Sequence, residues 1–278
     1  MIDTPEATVN HACDCHVHIY ELERYPLAST STFGPPQASW QDYTAVQRRL
    51  GLTRAILVQP TGYGYDNRCM LDALALSDGA ARGIAIVRSD APMAQLQEMH
   101  DAGVRGVRFM MIPGSGGLLG WDDLELLARR IAEFGWVINL QLDGRDLAQF
   151  EARLRALPCL LTIDHIGKFL EPVGTDHPGF QSLLRLLDAG RTWVKVSAPY
   201  ETSRIGPPNY DDVSMLARAL VAANPERCLW ASNWPHPNRK PVPDDRDMLE
   251  LLSLWASDQS ARRMVLSDNA AKLYGFDT

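Results

Sequence analysis

The sequence lacks an apolar run long enough to span a membrane, and it lacks any cluster of lysine and arginine. Its 27 Lys and Arg residues stand against 34 Asp and Glu residues, which gives a net charge of −7. Nucleic acid is therefore not an expected partner, although a negative total leaves room for a small anionic ligand bound by local cations. The polar, acidic segment 1–10 lacks the apolar centre of a signal peptide, so we expect a soluble, cytoplasmic protein without membrane association.

Cysteines are few and odd in number. Most of the five lie in apolar runs, which predicts reduced, buried thiols rather than a disulfide framework. Cys13 and Cys15 could hold a metal only with further ligands, and no second cysteine cluster supplies them. The composition, 46% hydrophobic over 278 residues, instead suits a single domain, 1–278, with a large core.

Eight short apolar runs rich in β-branched residues recur along the chain, and amphipathic segments fill most of the intervals. The predicted strands are Ala12–Ile19, Ala55–Gln59, Gly83–Val87, Val104–Met110, Trp136–Leu142, Cys159–Ile166, Trp193–Ala198 and Cys228–Ser232. The predicted helices, with apolar residues three and four apart, are Asp42–Leu50, Met70–Ser77, Met93–Ala102, Asp122–Phe134, Arg145–Leu157, Gly179–Ala189 and Asp211–Ala223. Several are followed by glycine, which is typical of a helix end.

This alternation in a chain of this length predicts an α/β protein with a (β/α)8 TIM barrel. A final helix, Asp247–Trp255, and the tail Ala261–Tyr274 are expected to close the barrel. A doubly wound open sheet is the alternative, but no glycine-rich turn follows the first strand as a nucleotide-binding fold requires. The glycine-rich loop 113–117 follows the fourth strand and fits no phosphate-loop spacing, so we interpret it as a flexible lid.

The first strand carries two histidines two residues apart, in the segment Asp14-Cys15-His16-Val17-His18. Because side chains alternate faces along a strand, His16, His18 and Asp14 are predicted to share one face. Cys13 and Cys15 are then predicted to lie on the opposite face, against helices. The alternative is a pair of incidental histidines on a half-exposed strand.

Polar side chains also recur where the other predicted strands end. Active sites of such barrels lie at the carboxyl ends of the strands, so these side chains are candidate site residues. They are His16 and His18 on strand one, Gln59 and Thr61 after strand two, Arg108 on strand four, Asn139 and Gln141 on strand five, His165 after strand six, Lys195, Ser197 and Tyr200 on and after strand seven, and Asn233 and His236 after strand eight. Some of them could instead be polar groups satisfied within the core.

Two arginines of the fourth strand are three residues apart, so only one can face inward. Arg108 is nearer the carboxyl end of the strand than Arg105, and we expect Arg108 to be the inward one. Its strand contains no acidic residue, which suggests that the ligand brings a carboxylate to it. A structural ion pair with a neighbouring strand is the alternative.

Three motifs together resemble a known family. The His16-x-His18 pair, Asp164-His165-Ile166-Gly167 and the segment 232–238, Ser-Asn-Trp-Pro-His-Pro-Asn, are similar to the amidohydrolase superfamily, in the branch of 2-pyrone-4,6-dicarboxylate lactonase. Segments 168–172 and 197–202 further resemble the galactarolactone isomerases within that branch. The resemblance covers nearly the whole chain. It implies a small anionic sugar-lactone substrate and conversion of D-galactaro-1,5-lactone to the 1,4-lactone in uronic acid catabolism.

The chain departs from the metal-dependent members of that superfamily. Those members resemble one another in a carboxylated lysine or further histidines on strands five and six and an aspartate on strand eight. Here strand five offers Asn139 and Gln141, and strand eight offers Asn233. His16, His18 and His165 remain as three neutral imidazoles that could bind zinc in principle. The lactonase branch is expected to work without metal, so we expect neither a metal nor another cofactor.

Asn233 bears on which reaction the site performs. An amide cannot accept a proton from water at neutral pH, so hydrolysis is expected to be slow. An aldarolactone carries its own nucleophile, because its C4 hydroxyl can attack the C1 carbonyl and expel the C5 oxygen. Such a hydroxyl, held in line, has an effective molarity of roughly 10⁵ M or more.

The expected roles follow from that chemistry. His165, or His16 with His18, polarises the carbonyl and moves the proton from the attacking to the leaving oxygen. Asn233 orients a hydroxyl, and Arg108 holds the distal carboxylate or stabilises the oxyanion. Tyr200 is expected to donate to a lactone oxygen. The rest of the predicted binding set is Gln59, Gln141, Lys195 and Ser197, which bind hydroxyls, with Thr61, Asn139 and His236.

Two other functions stay open at this point. One is a lactonase that hydrolyses a sugar-acid or pyrone dicarboxylate lactone. The other is a binder of sugar acids without catalysis, which the density of polar strand ends disfavours. Asn233 itself could also mark a degenerate or substituted hydrolase.

Overall fold

The computed structural model describes residues 9–29, 31 and 34–277. Its eight strands form one parallel sheet in sequential order: β1 Cys13–Val17, β2 Arg54–Val58, β3 Ala81–Ala85, β4 Val104–Met110, β5 Val137–Gln141, β6 Leu160–Ile163, β7 Thr192–Ser197 and β8 Cys228–Ala231. The end of β8 returns to β1, where the His18 N–H donates to the Trp234 carbonyl at 2.8 Å and the Asn233 N–H donates to the His16 carbonyl at 3.0 Å. The predicted (β/α)8 barrel is confirmed.

Helices follow the strands around the barrel: α1 Trp40–Leu50, α2 Arg68–Leu76, α3 Met93–Asp101, α4 Trp121–Ala132, α5 Leu147–Arg155, α6 Pro178–Asp188, α7 Asp211–Ala223, α8 Asp245–Trp255, α9 Gln259–Arg263 and α10 Asn269–Tyr274. In the predicted tail, a π-helical turn, Met264–Asp268, separates α9 from α10. No helix of the described chain is long and apolar enough to cross a membrane. Residues 1–8 of the polar opening segment lie outside the described residues.

Local chemistry explains where these elements begin and how closely they approach. Ser39 caps α1, since its hydroxyl accepts from the Asp42 N–H while the Asp42 side chain accepts from the Ser39 N–H. Gly106 allows β4 to lie close to Val137 of β5 and Ile84 of β3. A Cβ at this position would lie 2.6 Å from the Val137 carbonyl oxygen and 2.7 Å from Ile84 Cδ1. Any larger residue at position 106 would push β5 away from β4.

The interior of the barrel is apolar toward the amino-terminal ends of the strands. Strand residues from opposite sides of the barrel meet there: Cys13, Cys15, Ile56, Ile84, Val137 and Leu229. Tyr274 of α10 covers them. The two cysteines therefore face inward, contrary to the prediction that they pack against helices. All five cysteines are buried and free, as predicted. An apolar floor leaves the carboxyl ends of the strands as the polar part of the interior.

The predicted position of Asp14 on the histidine face is wrong. Its carboxylate accepts from the Tyr43 hydroxyl of α1 at 3.1 Å and from the Ser232 N–H at 2.9 Å, so it points outward. The pairing of β1 with β2 shifts register between Asp14 and Val17. Such a bulge breaks the strict alternation of faces. Cys15 and His16 consequently both face into the barrel.

Candidate active site

Three histidines meet inside the barrel at the carboxyl ends of the strands. The ring centroid of His16 lies 4.8 Å from that of His18 and 4.9 Å from that of His165. Ser197 of β7 contacts the His165 ring, and the Asn233 backbone is hydrogen-bonded to His16. All of these side chains are buried. The barrel thus brings together residues that the sequence separates by more than two hundred positions.

The hydrogen bonds of His16 and His18 define which ring nitrogens carry protons. A carbonyl oxygen only accepts, so His18 donates from Nδ1 to the Val58 carbonyl at 2.7 Å. Burial lowers the pKa of His18 to about 3 and holds the pKa of His16 well below its usual range, so both rings are neutral. His18 Nε2 therefore accepts from His16 Nε2 at 3.2 Å, and His16 Nδ1 accepts from Lys195 Nζ at 3.1 Å. Both nitrogens of each ring are engaged within the protein.

Lys195 forms the centre of a fully buried polar group. Its ammonium contacts Asp164 Oδ1 at 3.0 Å and donates to Asn139 Oδ1, while Asn139 Nδ2 donates to Asp164 Oδ2 at 2.9 Å. Burial lowers the pKa of Lys195. Burial also opposes charge on Asp164, yet the Lys195 ammonium holds the pKa of that carboxyl well below its usual range. Lys195 and Asn139 thus contact each other and Asp164, Lys195 also contacts His16, and their predicted roles as substrate ligands remain predictions.

One group of side chains has the chemistry of a metal site. His16, Asp164 and His165 offer ligand atoms that all lie within 4.8 Å of one another. The Lys195 ammonium contacts two of these residues, at 3.1 Å from His16 Nδ1 and 3.0 Å from Asp164 Oδ1. A divalent cation bound there would lie against a positive charge and would compete for the same lone pairs. The residues present therefore do not fit a resident metal.

His165 is the histidine with a nitrogen left for a ligand. Ser197 Oγ lies 3.0 Å from His165 Nδ1 and 3.4 Å from the Lys195 carbonyl oxygen. No described residue is hydrogen-bonded to His165 Nε2. Burial lowers the pKa of His165 to about 4, so the ring is neutral at pH 7, and in the tautomer that donates from Nδ1 to Ser197 Oγ its Nε2 is a proton acceptor. His165 and Ile166 have positive φ angles of 53° and 57°, a strained turn that aims the ring from the end of β6.

A chain of hydrogen bonds runs from Asn233 at the end of β8 toward the outside of the barrel. Asn233 Nδ2 lies 2.9 Å from the Tyr200 hydroxyl, which lies 2.7 Å from His236 Nδ1. His236 Nε2 lies 2.9 Å from Asp245 Oδ1, at the start of α8. Tyr200 and His236 therefore contact each other and Asn233, and their predicted roles as direct ligands remain predictions.

A carboxylate that the sequence analysis did not select lies next to Asn233. Glu201 Oε1 is 3.5 Å from Asn233 Nδ2, and Glu201 Oε2 forms ion pairs with Lys168 and, at 3.5 Å, with Arg239. Burial opposes the charge on Glu201, but Lys168 lowers the pKa of its carboxyl to about 2. The site thus contains a carboxylate that is ionised at neutral pH and is already held by two cations.

Arg108 faces inward, as the alternation predicts, whereas Arg105 contacts the backbone of α3. The guanidinium is buried; it donates from Nη1 to the Gln59 carbonyl at 2.8 Å, and its Nε has no partner among the described residues. Burial lowers the pKa of Arg108. Within the described chain no carboxylate forms an ion pair with Arg108. The alternative, a structural ion pair with a neighbouring strand, is therefore not observed.

The remaining candidates, after β2 and in β5, differ in whether their side chains are already hydrogen-bonded within the protein. Gln59 donates from Nε2 to the Asp66 carbonyl at 2.7 Å and so holds the loop after β2. Thr61 donates to the Ser115 carbonyl at 3.4 Å, which joins that loop to the glycine-rich segment 113–117. Gln141 is buried and has no side-chain hydrogen bond to a described residue. Whether the glycine-rich segment acts as a lid stays a prediction.

Sequence reasoning missed Asp164, Glu201 and Asp245 as members of the candidate set. Asp164 and Glu201 lie inside motifs that carried the family resemblance, so their position beside His165 and Tyr200 was a usable signal. Asp245 begins a helix and is surrounded by other acidic residues of the same segment. Nothing in its local sequence distinguishes it from a helix-capping aspartate.

The fold and the site together define a class: a (β/α)8 barrel with buried histidines on β1 and after β6 and a polar turn after β8. The amidohydrolase family model matches residues 13–276, and the chain belongs to that family. The resemblance stated from the motifs is therefore confirmed.

Individual relatives divide between two reactions. A 2-pyrone-4,6-dicarboxylate hydrolase of Comamonas testosteroni is 35% identical over 95% of this chain and 90% of its own length. A D-galactarolactone isomerase of Agrobacterium fabrum is 32% identical, again over 95% of this chain and 90% of its own length. The apo crystal structure of an Agrobacterium tumefaciens protein, 31% identical, superposes over 96% of each chain with a TM-score of 0.89. Both named relatives act on lactones.

Proposed function

We propose that this protein acts on a lactone and isomerises an aldarolactone by intramolecular transesterification, converting D-galactaro-1,5-lactone to D-galactaro-1,4-lactone. The observation that carries the proposal is the side chain at the end of β8. There the chain has an amide, Asn233, whose Nδ2 donates to Tyr200. An amide in that position does not take a proton from water, which disfavours hydrolysis more than it disfavours attack by a substrate hydroxyl.

His165 is the proposed proton shuttle. Its Nε2 accepts the proton of the C4 hydroxyl as that oxygen attacks C1 and forms the tetrahedral intermediate. Collapse breaks the bond between C1 and the C5 oxygen, and Nε2 returns the same proton to that oxygen. Protons and charges balance without an external reactant. His16 and His18 are not the shuttle in this proposal, because both nitrogens of each ring bind other protein groups.

Arg108 is the proposed partner of the distal carboxylate of the substrate. It is a buried guanidinium with an unpartnered Nε and no carboxylate of the protein in ion-pair contact among the described residues. A buried cation without a counterion is costly, and a bound carboxylate would remove that cost through charge-assisted hydrogen bonds. Lys168 and Arg239 are less suited to this role, because both already bind Glu201.

The test is ¹³C NMR of freshly generated D-galactaro-1,5-lactone mixed with chelator-treated protein, with a protein-free sample as control. We expect the signals of the 1,4-lactone to appear far faster than in the control. The His165→Gln variant should reduce that rate by roughly 10²- to 10⁴-fold, the usual contribution of a general acid–base group. Rapid formation of open galactarate would instead identify a lactonase, and an unchanged rate would refute action on this lactone.

A further inference from the structure

We propose that Asp245 is a positioning residue that acts through His236 and Tyr200 to fix which end of the Asn233 amide faces the bound substrate. In this arrangement Nδ2 is held by the protein, and Oδ1 is presented to the ligand as an acceptor for a hydroxyl. The inference rests on the proposed function for the identity of that hydroxyl. The direction of the hydrogen-bond chain does not depend on it.

The first step is the tautomer of His236. Asp245 Oδ1 lies 2.9 Å from His236 Nε2, and the other carboxylate oxygen of Asp245 is 3.1 Å from the Arg49 guanidinium. A carboxylate held by a cation only accepts hydrogen bonds. His236 therefore carries its proton on Nε2, as histidines held by a carboxylate do. Nδ1 is then the ring nitrogen that can accept a hydrogen bond.

The second step is the direction of the Tyr200 hydroxyl. Tyr200 Oη lies 2.7 Å from His236 Nδ1, so the phenol donates its proton to that nitrogen. Burial holds the pKa of Tyr200 well above its usual range, so the phenol keeps the proton. The phenolic oxygen is left as an acceptor, and Asn233 Nδ2 lies 2.9 Å from it. The amide nitrogen must be the end of Asn233 that faces Tyr200.

An independent contact supports the same orientation of the amide. Glu201 Oε1 lies 3.5 Å from Asn233 Nδ2, and the Glu201 carboxylate accepts only. A carbonyl oxygen in place of Nδ2 would face two acceptors, the phenolic oxygen and the carboxylate. Asn233 and His236 also have φ angles of 68° and 58° and are joined by a 2.8 Å backbone hydrogen bond from the His236 N–H to the Asn233 carbonyl. The turn therefore holds both side chains in fixed positions.

The consequence concerns selection of the attacking group. Asn233 Oδ1 accepts from a substrate hydroxyl other than the attacking one, whose proton goes to His165 Nε2, and so orients the ring with the attacking oxygen toward the lactone carbonyl. If the chain of hydrogen bonds were reversed, the amide would present NH2 and would bind an oxygen acceptor instead. Asp245 touches neither the substrate nor Asn233, so its effect is expected in the rate of the chemical step more than in binding.

The experiment combines a spectroscopic and a kinetic measurement on the full chain. Long-range ¹H–¹⁵N correlation of histidine-labelled protein identifies the His236 tautomer, with His236→Gln used to assign its signals. Wild type is expected to show His236 with a proton on Nε2 and none on Nδ1. In Asp245→Ala the Nδ1-protonated form should appear, and kcat should fall about tenfold or more with KM changed less than twofold. Asp245→Asn can still accept from Nε2 through its amide oxygen, and it should recover kcat to within about threefold of wild type.

A matched control separates this role from the stability of α8. Asp244 caps the same helix by accepting from the Arg246 N–H, and it is not part of the chain to Asn233. Asp244→Ala should lower stability with kcat unchanged. Three results would overturn the inference: wild-type His236 protonated on Nδ1 or on both nitrogens, equal loss of kcat in Asp245→Ala and Asp245→Asn, or an unchanged kcat in Asp245→Ala. The tautomer is read without turnover, so failure of the proposed reaction would be seen separately, as absence of the 1,4-lactone with wild-type protein.

Discussion

Asn233→Asp tests the electrostatics around the end of β8. The replacement places a carboxylate where Nδ2 now lies 3.5 Å from Glu201 Oε1. At an effective dielectric constant near 20 two such charges repel by about 5 kcal/mol. Lys168 and Arg239 offset part of this, because they bind Glu201. The repulsion that remains, roughly 2 to 4 kcal/mol, raises the pKa of the introduced carboxyl by about 1.5 to 3 units.

The sign of the pH dependence follows from linkage. In the unfolded variant the introduced carboxyl ionises near pH 4, as a free aspartate does, whereas in the folded variant it ionises between about pH 5.5 and 7. The destabilisation is absent below the unfolded pKa and grows as pH rises through the folded pKa. We expect the loss of unfolding free energy relative to wild type to be about 1 to 3 kcal/mol larger at pH 8 than at pH 5.

Urea unfolding of wild type and variant at both pH values measures this difference. Asn233→Leu removes the same hydrogen bonds without adding charge. The unfolding free energy that this variant loses relative to wild type should therefore be equal at pH 5 and pH 8. Adding Glu201→Gln to Asn233→Asp should abolish the pH dependence. An Asn233→Asp loss that is the same at both pH values would refute the proximity argument. Once ionised, the introduced carboxylate should also act as a general base for water, so galactarate should appear by ¹³C NMR, increasingly as pH rises toward 8.

Three further predictions follow from the site. Because the pKa of His165 is lowered to about 4, kcat/KM for isomerisation should be constant from pH 6 to 8 and fall as pH drops through about 4; a fall centred near pH 6.5 would contradict a buried, neutral ring. Arg108→Met should lower kcat/KM for the free-acid lactone by roughly 10- to 150-fold, the value of a charge-assisted contact, and change that of its methyl ester little; equal losses would refute carboxylate binding. Lys195→Met leaves Asp164 buried without its cation and should reduce the free energy of unfolding by about 3 to 5 kcal/mol in urea, with partial recovery on adding Asp164→Asn.

Much of the barrel was predictable because its signals are local. Each strand is a short apolar run and each helix repeats apolar residues three and four apart, so both patterns are read within one element. The carboxyl ends of parallel strands must meet at one end of a barrel, so His16, His165, Ser197 and Asn233 could be grouped without coordinates. The direction of Arg108 followed from the same alternation.

Other features depended on interactions that no local pattern contains. The bulge in β1 moved Asp14 outward to Tyr43 and Cys15 inward, and it arises from the pairing of β1 with β2. The role of Lys195 depends on a contact with His16, 179 residues away in sequence. A lysine that binds substrate and a lysine that neutralises a buried aspartate look the same in sequence.

By itself, the sequence determined the order of strands and helices, the end of the barrel that carries the site, and the residue types available there. The tertiary structure decided how those residues are used. It left His165 Nε2 for a ligand and engaged both nitrogens of His16 and His18, and it set the direction of the chain from Asp245 to Asn233. Proton positions in a buried site follow from the whole network of donors and acceptors, and that network exists only after distant strands have been brought together.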